Sequence, residues 1–472
     1  MRKFYHRIKL GSALSLGCLI SLPAFASDGL DGAAFNPVWA LPFFGILLSI
    51  AIFPIVSHHF WEAHQGKISA LWSVLLLAPL VMFSGTEATL QALVHTAFLD
   101  YIPFILMLLA LFTTAGGIVV RGNIHGAPQT NAMLLVMGAI LASIIGTTGA
   151  SMVLIRPIIR ANDNRKHNVH VVVFFIFLVS NIGGSLTPLG DPPLFLGFLK
   201  GVSFFWTTMN LYRETLFVGA FVLAAFIAID LYLYRKEGVT RDPTPDTAIS
   251  ISGFANMALI GVAIAAVLIS ASWKPGTVIT LAGIALEGQD LVRDGVMILV
   301  TYLSLKLTST IDRSDNGFNW GPILEVAKLF AGIFVTMIPV IAMLKAGPHG
   351  AFAPLVALVS HSDGSPNPLA YFWLTGVLSS FLDNAPTYLV FFELSGGDAT
   401  HLMNEGALTL AAISAGAVFM GAVSYIGNAP NFMVYAIARE RGVAMPSFFG
   451  YLLWSGAILI PTFLLATVVF FS

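Results

Sequence analysis

Long apolar runs, separated by short polar segments, dominate the pattern of residues along the chain. A helix needs about 20 apolar residues to cross the hydrocarbon core of a membrane. Two apolar segments, 131–160 and 368–397, each carry a helix-breaking sequence at the middle. Ten others are apolar over enough of their length to be membrane spans, and we predict helices at about 37–56, 68–83, 101–120, 171–199, 215–234, 254–272, 290–308, 322–345, 406–438 and 447–470.

The composition agrees with this pattern. Of the 472 residues, 57% are hydrophobic and only 10% are charged, whereas a soluble domain carries about 25% charged residues. The formal net charge of −1 gives no indication of nucleic-acid binding. We therefore predict an all-α polytopic membrane protein whose surroundings are the lipid bilayer.

The first 26 residues have the pattern of a cleaved secretory signal peptide. A basic stretch, MRKFYHRIK, precedes a short apolar run, and Ala24-Phe25-Ala26 offers a small-x-small cleavage site. An uncleaved first helix is the alternative. The only cysteine, Cys18, lies in this segment, so the mature chain would have neither a disulfide nor a cysteine metal site.

The lysines and arginines predict the topology. Cytoplasmic loops are enriched in these residues, and a cleaved signal peptide places the mature N-terminus outside the cytoplasm. We interpret 131–160 as a re-entrant hairpin entered from the cytoplasm and 368–397 as one entered from outside, because a full crossing by either would move a basic cluster to the outer side. With hairpins, the basic residues left outside in the mature chain are Lys200, Arg213, Lys274, Arg293 and Lys345.

A charged, proline-containing stretch divides the chain into two halves. It reads RKEGVTRDPTPD from Arg235, and we predict a cytoplasmic linker over 235–253. The first half, 27–234, and the second half, 254–472, start on opposite sides of the membrane. Each half contains three spans, a hairpin and two more spans, which is the inverted-repeat plan of secondary transporters.

Helix breaks occur at matching places in the two halves. The first half has IGTTGASMVLI at 145–155 and SNIGGSLTPLGDPP at 180–193, and the second has SSFLDNAPTYLVFF at 379–392 and SYIGNAPNFMVY at 424–435. Glycine and proline leave backbone groups without helical partners, which a membrane tolerates only where the backbone is buried in protein or lines a cavity. A single break would indicate a kink or close helix packing. Four breaks at matching places predict a binding site at the membrane midplane.

Two of the breaks carry an acid, Asp191 and Asp383. An ionisable side chain at this depth costs at least ~2.5 kcal/mol, which makes both residues candidates for function. Neither break contains a lysine or an arginine, and burial without a basic partner favours the protonated carboxyl group. Such a group can exchange a proton for a cation.

The other candidate residues supply oxygen atoms suited to Na⁺ or position them. Hydroxyl and amide groups come from Thr147, Thr148, Ser151, Asn181, Thr187, Asn384, Thr387, Ser424, Asn428 and Asn431, and freed backbone comes from Gly183, Gly184 and Gly427. Half-helix ends add dipoles that attract ions. Sodium ions and protons are the expected transported or coupling ions, and we predict no other cofactor.

These motifs resemble those of the ion transporter superfamily. The chain is similar to NhaD-type sodium/proton antiporters and to the related citrate transporter family in TPLGDPP from Thr187, SFLDNAP from Ser380 and two broken helices with an Ile-Gly pair. The resemblance implies a transporter of the bacterial inner membrane, often a homodimer, with an elevator-like moving domain that bears both hairpins. One departure is Pro192-Pro193-Leu194, where a typical NhaD-type protein has hydroxyl residues.

We predict a secondary active transporter, not an enzyme, that exchanges Na⁺ or Li⁺ for protons by alternating access. The alternative is a sodium- or proton-coupled citrate or dicarboxylate carrier, in which amides, hydroxyls and half-helix N-termini hold the substrate carboxylates. An intramembrane aspartyl protease also needs two membrane acids, but that family expects a Tyr-Asp pair and a Gly-x-Gly-Asp loop. Here Leu382 precedes Asp383, and Pro188-Leu189-Gly190 precedes Asp191.

Three histidines cluster in SHHFWEAHQGK, residues 57–67. We predict a solvated cytoplasmic loop for this segment, and a pH sensor or metal site is the alternative.

Overall fold

The computed structural model describes residues 30–238 and 245–472. The predicted signal peptide, with Cys18, and the middle of the predicted linker lie outside the described residues. Within the described part, nine helices are long and apolar enough to cross a membrane, and a shorter apolar helix covers Ala407–Val423. The prediction of an all-α, multi-pass membrane protein is confirmed.

The first half contains nine α-helices and one strand. In chain order they are α1 Leu41–Val56, α2 His58–Ser84, α3 Thr86–His95, α4 Ile102–Ala115, β1 Val119–Arg121, α5 Pro128–Ile145, α6 Thr147–Ala161, α7 Val169–Leu178, α8 Pro192–Leu199 and α9 Trp206–Glu237. A π-helical turn, Thr96–Tyr101, joins α3 to α4, and a 3₁₀ turn, Ile182–Leu186, follows α7. The helical break between α7 and α8 therefore falls where the glycines and prolines of residues 183–193 predict it.

The rest of the described chain, from residue 245 onward, has more irregular connections. In chain order its elements are β2 Ser250–Ser252, α10 Phe254–Ser272, β3 Val278–Leu281, β4 Ile284–Glu287, α11 Gly288–Leu307, α12 Thr310–Asp315, α13 Gly321–Lys345, α14 Ala353–Leu358, α15 Pro368–Phe381, α16 Asn384–Leu394, α17 Ala399–Met403, α18 Ala407–Met420, α19 Ala429–Glu440 and α20 Phe448–Ala466. A 3₁₀ turn, Gly421–Val423, lies in the break between α18 and α19.

One local prediction is wrong. The histidine-containing segment 57–67 is not a loop, because α2 already begins at His58 and only Ser57 separates it from α1. Trp61 is 4% exposed and its ring stacks on Phe53 of α1 at 6.1 Å. Burial of the Trp61 ring extends α2 beyond its apolar part. The sequence around Trp61 is mostly polar, and for this reason it predicts a loop.

Two helix pairs form the predicted hairpins. The first, α5 and α6, turns at Gly146, whose φ of 83° suits glycine. The second, α15 and α16, turns at Leu382 and Asp383, and the Asp383 carboxylate caps α16. In each pair the two helices pack against each other. The sequence placed these hairpins at 131–160 and 368–397, and the helices occupy 128–161 and 368–394.

The helices pack in two groups. The first group joins α1, α2, α4, α10, α11 and α13, and the second joins the two hairpins, the broken helices, α9 and α20. Within the second group the halves are interlocked, because α6 of the first hairpin packs on α19 and α16 of the second hairpin packs on α8. This exchange brings all four breaks to one region of the molecule.

Short strands and ion pairs tie the halves together at one end. β1 pairs antiparallel with β2, with Val119 opposite Ser252. Arg121 at the end of β1 donates to Asp312 and Asp315, each at 2.6 Å. The guanidinium of Arg121 holds the pKa of the Asp312 carboxyl below its usual range through this hydrogen bond. The contacts fix α12 beside the start of the second half.

We expect Gly146→Ala to destabilise the first hairpin. The φ of 83° and ψ of 152° at this position belong to a region that is essentially restricted to glycine and costs other residues about 1–3 kcal/mol. The thermal unfolding midpoint of purified protein in detergent should fall. Gly219→Ala in α9 is the control, because an added Cβ there meets nothing within 4 Å. Equal midpoints for both variants would contradict the argument.

Candidate functional site

The Asp191 carboxylate lies where the two hairpin tips and a broken helix meet. Asp191 is the residue before α8 and is 1% exposed. Its Oδ2 accepts a hydrogen bond of 2.7 Å from Nδ2 of Asn384, and its Oδ1 accepts one of 3.2 Å from Oγ1 of Thr147. Thr147 is the first residue of α6 and Asn384 is the first residue of α16. One carboxylate therefore links the two halves of the chain.

The second acid, Asp383, has a different environment. Its Oδ1 accepts a hydrogen bond of 3.0 Å from the backbone N–H of Ala385, and its backbone oxygen accepts one of 2.9 Å from Oγ1 of Thr387. Asp383 directly precedes Asn384, whose amide donates to Asp191. Unlike Asp191, it lines a large cavity, so the two acids are not equivalent.

Three buried asparagines form a second link between the halves. Nδ2 of Asn181 donates to Oδ1 of Asn431 at 2.7 Å, and Nδ2 of Asn428 donates to Oδ1 of Asn181 at 2.7 Å. Nδ2 of Asn431 donates in turn to the carbonyls of Gly421 and Ser424, at 2.8 and 3.0 Å. Asn181 comes from the second break and the other two from the fourth, so these amides hold the broken helices side by side.

Side-chain hydroxyls satisfy the backbone of the first broken helix. Oγ of Ser143 donates to the Gly183 carbonyl at 2.5 Å, 40 residues along the chain. Oγ1 of Thr187 donates back to the Ser143 carbonyl at 2.5 Å, with a separation of 44 residues. We call this reciprocal pair a hydroxyl brace, because it ties a hairpin arm to the break beside it.

The second half has the same brace. Oγ of Ser380 donates to the Met420 carbonyl at 3.0 Å, again 40 residues along. Oγ of Ser424 donates to the Ser380 carbonyl at 2.5 Å, again 44 residues apart. Each member lies the same number of positions after its counterpart in the first half. This agreement supports the proposal that the halves are structural repeats.

Close backbone approach is repeated as well. A Cβ on Gly190 would lie 2.2 Å from the Gly184 carbonyl oxygen, and a Cβ on Gly427 would lie 2.5 Å from that of Gly421. Glycine at these positions lets each break fold back on itself. Sequence analysis named Gly184 and Gly427 for freed backbone. It named Gly190 only as part of the break before Asp191, and it did not name Gly421.

The sequence-based site list missed Ser143 and Ser380. Both serines lie in apolar hairpin arms, where a hydroxyl is usually satisfied by its own helix. The sequence feature that could have identified both serines is their equal spacing to the following break, 40 and 44 residues in each half. This spacing is seen only when the two halves are aligned residue by residue.

Some predicted site residues lie away from the two acids. Ser151 shares a hydrogen bond of 2.8 Å with Ser180. Thr148 lines a small cavity of about 60 Å³, together with Thr147. Gly183 packs closely against Ala139 of α5, since a Cβ on it would lie 2.5 Å from Ala139 Cα. These residues support the hairpins and do not contact either carboxyl group directly.

A cavity of about 580 Å³ leads to Asp383 and Asn428 from one face of the molecule. This face carries Arg156 and the loop around residue 317, and sequence analysis predicts it to be cytoplasmic. We call it the Arg156 face. The walls of this cavity carry charged side chains from outside the four breaks, and these are Glu62, Arg156, Glu325, Glu440 and Arg441.

The opposite face is held by an ion pair. Nζ of Lys200, which directly follows α8, donates to Oδ1 of Asp100 at 2.7 Å. Asp100 lies in the π-helical turn between α3 and α4, which belongs to the first helix group. The pair therefore connects the two groups, beside a second cavity of about 260 Å³ that Lys345 also lines.

Comparison with protein families gives one match across nearly the whole chain. Residues 32–471 match the family described as "Putative citrate transport". The chain belongs to this family. No protein of curated function matched it. As a member of this family the protein is a membrane transporter, which agrees with the predicted class. The family description favours the carboxylate alternative over sodium/proton exchange.

We expect Ser143→Ala to destabilise the transporter, because the buried Gly183 carbonyl would lose its hydroxyl partner. Leaving a buried polar group unsatisfied costs about 1–3 kcal/mol. Thermal unfolding in detergent measures the effect. Ser272→Ala serves as the control, since that exposed hydroxyl bonds only to its own helix and should change stability by no more than about 0.5 kcal/mol. A Ser143 variant as stable as this control would argue against the brace.

Proposed function

We propose that the protein is a secondary transporter of a di- or tricarboxylate such as citrate, coupled to Na⁺ or protons. The family supports a carboxylate as the substrate, and the junction at Asp191 supports a coupling site there. Asp191 and Asp383 take up protons or a cation, and Thr147, Asn384 and the asparagine cluster hold the surrounding geometry. The observation that carries the proposal is the meeting of both hairpin tips at one buried carboxylate.

Simple electrostatics explain why coupling must accompany carboxylate binding at this site. Two unit charges 4 Å apart interact by about 4 kcal/mol at an effective dielectric constant of 20. A citrate beside two ionised aspartates would therefore be repelled by several kcal/mol. Protonation of the acids or binding of Na⁺ removes this repulsion, so substrate and coupling ion bind together.

Alternating access then moves the loaded site between the two faces. In the structure the large cavity opens at the Arg156 face, while Asp100 and Lys200 hold the other face together. We place the protein in the bacterial inner membrane, with the mature N-terminus on the periplasmic side and with two inverted repeats. A homodimer is part of the same proposal, because the resembling transporters are often dimers.

Sodium/proton exchange without a carboxylate is the second candidate. It is favoured by the partners of the two carboxyl groups, which are neutral groups: an amide, a hydroxyl and a backbone N–H. A carboxyl group in such surroundings can trade a proton for Na⁺ or Li⁺ without an organic anion.

Transport by purified protein in liposomes separates the two candidates. Under an imposed Na⁺ or proton gradient, we expect labelled citrate or succinate to accumulate inside. A pH-sensitive dye in the same liposomes reports any proton movement when Na⁺, Li⁺ or K⁺ is added alone. Collapse of a pH gradient by Na⁺ alone, with no uptake of either acid, would replace carboxylate transport by sodium/proton exchange.

We expect Asp383→Asn to abolish coupled transport while leaving the protein folded in the membrane. Asparagine keeps the size of the side chain and can still accept from the Ala385 N–H, so only the titratable charge is lost. Uptake of labelled substrate under an ion gradient measures the effect. Asp363→Asn is the matched control, because Asp363 lies in an exposed turn where it accepts from Ser365. Uptake by the Asp383 variant at the control rate would refute this role.

We also expect a covalent link between positions 100 and 200 to stop transport. Asp100→Cys and Lys200→Cys, combined in a Cys18→Ser background, allow a short cleavable bifunctional thiol reagent to join the two helix groups. If transport requires the groups to separate at this face, uptake is lost on cross-linking and returns on reduction. Each single-cysteine variant treated in the same way is the control. Full uptake by cross-linked protein would show that transport does not require the two helix groups to separate at this face.

A further inference from the structure

Arg156 lies in the wall of the large cavity and plays no part in the site described above. It belongs to α6, the second arm of the first hairpin, nine positions after Thr147. A helix rises about 1.5 Å per residue, so Arg156 is about 13 Å along the axis from the hairpin tip. The same cavity reaches Asp383 and Asn428. Arg156 therefore stands on the route by which a solute enters or leaves.

The guanidinium of Arg156 carries an unused donor. Its Nη1 is buried and has no hydrogen-bond partner among the described residues. The guanidinium packs against Gly317 of the neighbouring loop. A side chain at that position would collide with it, because a Cβ on Gly317 would lie 2.4 Å from Nη2 of Arg156. An arginine N–H that is shielded from solvent and lacks an acceptor is costly. Turning the partly exposed guanidinium so that this N–H meets an acceptor on a ligand in the cavity would remove this cost.

Both basic residues that line the cavity in the described part of the chain, Arg156 and Arg441, come from the second helix group, which also contributes the acids Asp383 and Glu440. Glu62 lies on α2 and Glu325 on α13, both in the first helix group, whereas Arg156 lies on α6 in the second group. Arg441 follows the end of α19, beside Glu440, and both are exposed at the mouth. An anionic solute would therefore meet positive charge at Arg156 and Arg441, and acids on the wall of α2 and α13.

We propose that Arg156 binds a carboxylate group of the transported substrate as it occupies this cavity. Arginine suits this role because its planar fork of N–H donors matches both oxygens of a carboxylate. The cavity, at about 580 Å³, has the size of small-molecule sites. The inference rests on the proposed function, and it assigns substrate recognition to a residue outside the four breaks.

The placement of Arg156 also connects the anion to the coupling site. Arg156 and Thr147 lie on the same helix, and Thr147 donates to Asp191. A carboxylate held by Arg156 and a cation or proton held at Asp191 would thus be attached to one rigid element. Movement of the first hairpin would carry both.

The test compares Arg156→Gln and Arg156→Lys with wild type in liposomes. Arg160→Gln is the matched control, because Arg160 lies one turn further along α6 and donates to the Val120 carbonyl. For Arg156→Gln we expect the KM for citrate to rise at least about tenfold with little change in kcat, since a hydrogen bond to a charged group is worth a factor of ten or more. Arg156→Lys, which keeps the charge without the fork, should fall between the two.

Three outcomes are informative. A KM for Arg156→Gln within twofold of the Arg160→Gln control would overturn the assignment, provided that both proteins elute as single species in detergent. A fall in kcat at constant KM for Arg156→Gln would also overturn it and indicate a role in movement. If wild-type protein takes up no citrate or succinate, the proposed function itself fails, and that result is distinct from either of the others.

Discussion

The structure depends on one constraint, that backbone N–H and C=O groups inside a membrane must find partners within the protein. Helices meet this constraint by themselves, but four breaks interrupt them here. At two of the breaks a serine in a hairpin arm donates to a carbonyl in the neighbouring broken helix, and a hydroxyl in that helix donates back. These braces allow irregular backbone to exist beside the site.

The braces have a consequence for function. Each brace ties a hairpin arm to a broken helix and so restricts the position of the hairpin tip. Both tips contact Asp191. The contact between Asn384 and Asp191 joins residues 193 positions apart. A hairpin cannot shift alone without breaking this bond, so the two halves should move as one body relative to the helices that surround them.

The two acids and the arginine suggest a division of labour. Asp191 is enclosed and held by neutral donors, whereas Asp383 lines the cavity that solutes can enter. Positive charge comes from Arg156, which lies further along the same cavity. In the mechanism that we propose, an anion and its coupling ion would occupy separate positions along the cavity, which avoids placing two negative charges next to each other without compensation.

The sequence by itself determined the membrane class, the positions of the breaks and the two acids. These features are local, because apolar length, glycine and proline act on the residues around them and an isolated acid is conspicuous in an apolar run. The start of α2 at His58, the roles of Ser143 and Ser380, and the bond from Asn384 to Asp191 were decided only by tertiary structure. Each of them depends on which distant segment packs alongside, and the periodicity of a single helix carries no information about its neighbour.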